Sequence, residues 1–118
     1  MQSERGEQEV SVLLDRLEAR EPTIVELGTP MLEDGPEMEA LVAMGAGVVP
    51  ALQREAEVGP PRRTAYAVRA LGLIGGPGVA ATLRHLCDRH SAEPNKTMWH
   101  HAVVAQCNAA LRSTGPDR

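Results

Sequence analysis

The chain has 118 residues, 42% of them hydrophobic and 2% aromatic, with a net charge of −4. That length suits one domain with a small core. One Trp, one Tyr and no Phe leave Ala, Val, Leu and Met to fill it, which favours closely packed helices over a thick sheet sandwich. No stretch reaches the length of a membrane span, and the opening "MQSERGEQE" is polar. A cytoplasmic protein is expected, with no membrane contact and with Cys87 and Cys107 as reduced thiols.

Residues 7–20, "EQEVSVLLDRLEAR", place Val10, Leu13, Leu14 and Leu17 at helical spacing, with charge on the other face. Glu21-Pro22 ends that helix, because a residue before Pro leaves the α region. Residues 22–35 are ambiguous. "TIVEL" is β-branched, but a lone strand lacks a pairing partner, so short helix and loop are expected. Residues 36–45 open on Pro and stop at Gly, with Met38, Leu41 and Val42 inward. Residues 47–57 follow, with Val48, Val49, Leu52 and Ala56 as the stripe and Pro50 in the first turn.

After the loop "VGPPRR", a helix is predicted over 62–74, with Ala67, Val68, Ala70, Leu71 and Ile74 inside. "GGPG" breaks it. The next helix, 78–90, carries Val79, Leu83, Leu86 and Cys87; the last, 97–113, carries Trp99, Val103, Cys107, Ala110 and Leu111. The final residues form a tail.

Charge is unevenly spread. Residues 1–39 hold eleven acids against three arginines, net −8; residues 40–118 hold nine bases against five acids, net +4. The acidic part is either simply solvated, or it docks on the basic half, or the basic half meets an anionic partner. Eleven of the twelve bases are Arg, which forks to carboxylate or phosphate but in a whole chain also reflects genome composition.

Two segments repeat. "LVAMGA-GVVPAL" (41–52) aligns with "LGLIGGPGVAATL" (71–83): Leu41 on Leu71, Met44 on Ile74, Gly45 on Gly75, Val48 on Val79 and Leu52 on Leu83. A weaker third copy, "AVVAQCNAALRSTG" (102–115), sets Leu111 on Leu71 and Gly115 on Gly75. Each unit reads as two short antiparallel helices joined by a Gly turn, which supplies the left-handed position. These residues resemble the HEAT-like repeat family, in the short bacterial type known from phycobilin lyases; "AYAVRALGLIGGPGVAATL" (65–83) and "GAGVVPAL" (45–52) carry the likeness over about 36–115.

The resemblance implies an all-α, armadillo-type superhelix, a short right-handed stack of five to six helices. Residues 1–35 would form an N-terminal helix and connector packed on it. The repeats would fall at about 36–58, 61–90 and, in part, 97–115. In that family the second helix of each hairpin usually lines the concave side, which implies a partner-binding face with Gln53, Arg54, Arg84, His85 and Asp88.

"HLCDRH" (85–90) and His100-His101 raise the question of zinc, since Cys87 and His90 share a helix face. Cys87 also lies on the core stripe, as does Cys107, and free Cys is commonly buried, so no metal or reactive thiol is expected. The sequence shows no P-loop, HExxH, G-x-S-x-G or dinucleotide fingerprint, so neither catalysis nor a cofactor is expected. Arg62 and Arg63 open a helix, where cations oppose the macrodipole; such a local violation can mark function. With Arg69, Arg84 and Arg89 they read either as surface and inter-repeat bonds, or as a patch for an acidic protein. Trp99 is a core anchor or an interface hot spot.

The expected function is a non-catalytic protein-interaction module: adaptor, regulator or inhibitor. The resemblance keeps a lyase-like accessory role as an alternative, and so it does nucleic-acid binding, against which pI 5.5 and scarce aromatics count. The last helix lacks a following partner. Either some apolar surface is left open there, or a second copy, a partner or the N-terminal helix covers it. Self-association (a homodimer through this helix) or a partner contact is expected near Trp99–Leu111.

Overall fold

The computed structural model describes residues 2–21, 23–24 and 30–114. Among them are six α-helices: α1 (Gln2–Glu18), α2 (Gly35–Met44), α3 (Val49–Val58), α4 (Pro61–Ile74), α5 (Val79–Ser91) and α6 (Met98–Thr114). A 3-10 turn, Gly45–Val48, joins α2 to α3. None of the described helices is long and apolar enough to cross a membrane. The all-α fold class holds.

The helices lie in two layers. In one, α4 packs between α2 and α6; in the other, α3 meets α5. Neighbours across the loops, α3 with α4 and α5 with α6, pack closely, whereas α4 and α5, joined by the Gly turn, touch sparingly. Most burial therefore comes between units rather than within one Gly-linked hairpin. α1 rests on α2, α3 and α4. Its Val10, Leu14 and Leu17 are fully buried, because their spacing aligns them on one face of the helix.

The two strong copies are equivalent in three dimensions. Leu41 and Leu71, Val48 and Val79, and Leu52 and Leu83 are buried in pairs. Gly45 (φ 70°, ψ −156°) and Gly75 (φ 73°, ψ −162°) take nearly the same backbone conformation. The left-handed αL position expected from the pattern is not the one used. Positive φ with ψ near extended is a region open essentially to Gly alone, so the demand for Gly is stricter than an αL cap makes it. Gly115, the third copy's counterpart, lies outside the described residues.

Residues 22–35 depart from expectation. Instead of a short helix, Thr23–Ile24 pairs antiparallel with Pro30–Met31, Thr23 opposite Met31 and Ile24 opposite Pro30. The strand finds its partner a few residues further along the same segment. Pro opens the second strand, a position where its missing N–H is tolerated. The helical turn expected just before Gly28 lies outside the described residues.

At the C-terminal end, Met98 at the start of α6 is 39% exposed. On α6, Ala102, Val103 and Cys107 are buried and Trp99 and Leu111 partly so. His101, Ala105, Asn108, Ala109 and Arg112 face solvent.

α4 and α6 meet at a helix-interior glycine. A Cβ on Gly72 would stand 2.6 Å from the Ala110 Cβ, which is anchored to backbone and cannot swing aside. Gly to Ala in a helix normally stabilises by about 0.5–1 kcal/mol. Here overpacking reverses the sign: Gly72→Ala lowers stability by about 1–3 kcal/mol in urea unfolding. A stabilised variant would show that α4 and α6 stand further apart.

Candidate interaction surface

Arg63, at the start of α4, is 8% exposed. All five of its N–H donors are used. Nε donates to Glu55 Oε1 (2.6 Å), and Nη1 to Asp15 Oδ1 (2.6 Å) and Glu18 Oε2 (2.7 Å). Nη2 donates to the Ser11 hydroxyl (3.0 Å) and carbonyl (3.2 Å). Burial opposes the charge, but three carboxylates outweigh it and push the guanidinium pKa above its ordinary value. Arg63 is thus a buried clamp holding α1 and α3 to α4, not part of an exposed patch. The cation that looked out of place at a helix N-terminus is answered by acids from two other helices.

Arg62 beside it lies 4.9 Å from the Trp99 ring centre and donates to the Arg20 carbonyl, while its Nε is buried without a partner. Trp99 in turn tilts against Tyr66, ring centres 6.2 Å apart. Trp99 is therefore half-buried in an internal aromatic and cationic cluster. Arg69 forks to both Asp34 oxygens, one contact at 2.8 Å, and reaches Gln106 Oε1 at 3.5 Å. That fork holds the Asp34 carboxyl below its usual pKa against the opposing effect of burial. Arg20 pairs with Glu37, and Arg54 with Glu7 at 2.5 Å. The acidic N-terminal part docks on the basic repeats, the intramolecular alternative among the readings of the charge asymmetry.

The α3–α5 seam carries the rest of the expected face. Gln53 donates to Thr82 Oγ1 (3.0 Å), and His85 Nε2 meets Glu57 Oε1 (3.1 Å), which Arg89 also contacts (3.2 Å). Arg84 and Asp88 are exposed, and no ion pair involves them among the described residues. The seam joins Gln53 and His85 to their own chain and leaves these two charges open. Arg62, Arg63 and Trp99 cluster elsewhere.

Cys87 and His90 both lie on α5. Cys87 Sγ donates to Asn108 Oδ1 at 3.6 Å. His90 is 6% exposed, has both ring nitrogens buried without a partner, and faces His100 at 5.4 Å. Among the described residues no three His, Cys, Asp or Glu side chains converge as metal ligands. The Cys107 thiol is pushed up to about 12, first by burial and then by neighbouring Cys87, which keeps it a thiol and not a thiolate nucleophile.

Sequence reasoning missed a depression on the α1 side. An open groove of about 690 Å³ runs between α1 and α2, lined by Val12, Leu13 and Arg16 on one wall and Ala40, Ala43 and Met44 on the other. It adjoins a second hollow at Ala43, edged by Val42 and Leu73 and by Asp34 and Glu39, which adjoins a third at Leu73 reaching Ala109 and Ala110 of α6 with Arg69, Gln106 and Ser113 at its edge. Val12 (47% exposed) and Leu73 (51%) stand in this strip. Val12, an apolar residue on the polar side of an amphipathic helix, was the available signal. No family model matches the chain, and no curated protein or solved structure matches it.

Two outcomes follow. Arg63→Met strands Asp15, Glu18 and Glu55 and costs roughly 2–4 kcal/mol in urea unfolding, below the full penalty of a stranded buried charge because Asp15 is 67% exposed and rehydrates. Arg63→Lys, with three donors at a point, loses less. Secondly, burial, aided by His100 and Arg89 and opposed by Glu93 and Glu57, lowers the His90 pKa. The unfolded chain then binds a proton that the native one refuses. Stability is retained above pH of about 6.5 and falls as pH drops below it. His90→Leu flattens thermal stability measured from pH of about 6.5 downward; an unchanged slope would contradict this.

Proposed function

We propose that the chain is a non-catalytic protein-interaction module of the HEAT-like helical-repeat class, which docks a partner protein along the apolar strip from the α1–α2 groove past Leu73 to α6. The observation that carries this reading is the continuity of that strip across three helix seams. Exposed apolar residues gathered in one strip mark interaction sites more reliably than scattered ones. The repeat class draws support from two copies with matched buried positions and matched glycine backbone.

The docking surface thereby moves away from the α3–α5 face. An acidic partner or nucleic acid loses support as well, because Arg20, Arg54, Arg63, Arg69 and Arg89 already bond acids of their own chain. The apolar strip selects instead for buried contact area.

Leu73→Glu tests this. The side chain is exposed, so the fold tolerates the change, while a carboxylate in the strip repels an apolar partner. In affinity capture from the source cells, a protein retained by the unsubstituted chain is recovered at least tenfold less with Leu73→Glu, and equally well with Arg84→Ala and Asp88→Ala combined. The opposite pattern would return the binding face to α3–α5.

A further inference from the structure

The outer stripe of α1 is self-complementary. Glu9, Val12, Leu13 and Arg16 lie at i, i+3, i+4 and i+7, which sets them on one face of the helix. Glu9 stands three residues before Val12, and Arg16 three after Leu13. Reversing the helix end for end about the midpoint of Val12 and Leu13 therefore exchanges acid for base. Both charges are exposed, and among the described residues neither has an ion-pair partner.

We infer that the chain forms a two-fold symmetric dimer through this stripe, the α1 of a second copy lying antiparallel at the α1–α2 groove. The inference rests on the reading of that groove as a docking surface and names its occupant. At the axis, Val12 and Leu13 of the two copies meet. On either side Glu9 of one copy faces Arg16 of the other, so both unpaired charges are satisfied twice over. Such an isologous arrangement is the commonest form of oligomer. The opposite wall suits it: Ala40 and Ala43 are small enough to let a helix approach, and Met44 is adaptable.

Charge selects this occupant over others. A uniformly basic helix would satisfy Glu9 and be repelled by Arg16, and a uniformly acidic one the reverse. Across the rest of the protein most arginines are consumed internally, which makes an open acid and base flanking an apolar centre distinctive. The patch covers about two turns of α1, below the roughly 1,200 Å² of a standard stable interface. Association is therefore weak, with dissociation in the micromolar range or above.

Sedimentation of the full chain at low salt, from micromolar to millimolar concentration, tests the inference. The unsubstituted chain shifts from monomer to dimer. Glu9→Arg and Arg16→Glu, both surface changes that leave helicity by circular dichroism intact, each weaken association by about tenfold or more, since each replaces two attractive contacts with repulsive ones. An equimolar mixture of the two variants re-associates, because opposite charges again meet on both sides of the axis. An unsubstituted chain that stays monomeric throughout, a variant that associates as before, or a mixture that fails to re-associate overturns the dimer. Leu73-dependent capture is scored on the same variants. If the unsubstituted chain stays monomeric yet its Leu73-dependent capture persists, the dimer is overturned and the module reading stands; if the unsubstituted chain shows neither, both fall.

Discussion

The Arg63 guanidinium is the constraint on which the remaining structure depends. It brings five donors to one buried point, and α1 and α3 supply every acceptor. A guanidinium with a donor left over would carry a large desolvation cost, so partial docking of α1 gains little. The adjacent Thr64 hydroxyl donates to the Ala56 carbonyl at 3.0 Å, holding the α3–α4 junction that places Arg63. The hydrophobic stripe of α1 explains why that helix is buried; Arg63 explains where it sits and in which register.

Further consequences follow from that docking. Acids of the N-terminal part neutralise Arg54, Arg63 and Arg69 of the repeats. Because Ser11, Asp15 and Glu18 of α1 face Arg63, the Glu9–Arg16 stripe is turned the other way, toward the α2 side. There Val12 and Leu13 form one wall of a groove with Ala40, Ala43 and Met44. The internal clamp and the outward apolar strip are therefore two results of one orientation of α1.

Much of this was legible in the amino acids. Helical periodicity, with Pro and Gly boundaries for residues 36–45, placed the described helices, and the Gly45 and Gly75 repeat marked positions that share an unusual backbone conformation. Local pattern was sufficient there, because helix-period burial and a positive-φ glycine each have a local cause. The hairpin at Thr23 and Pro30 escaped because each strand is only two residues long, too short for alternation to show. Arg63 escaped because a buried, saturated guanidinium and a solvent-exposed one look alike in sequence; the difference lies in acceptors 8 to 52 positions away. The charge imbalance between the two halves was visible, but its intramolecular resolution required tertiary geometry. The apolar strip was hidden for a similar reason. Val12, Leu73 and Met44 lie far apart along the chain and share a surface only after α1 has docked.

On this structure α1 belongs to the folded core and is not an appended tail. Native-state amide hydrogen exchange on the unsubstituted chain tests it most directly. The amides of Leu14 through Glu18 are expected to exchange as slowly as those of Val68 through Leu71 in α4, both opening only with global unfolding. Exchange in α1 faster by orders of magnitude, with α4 still protected, would contradict it.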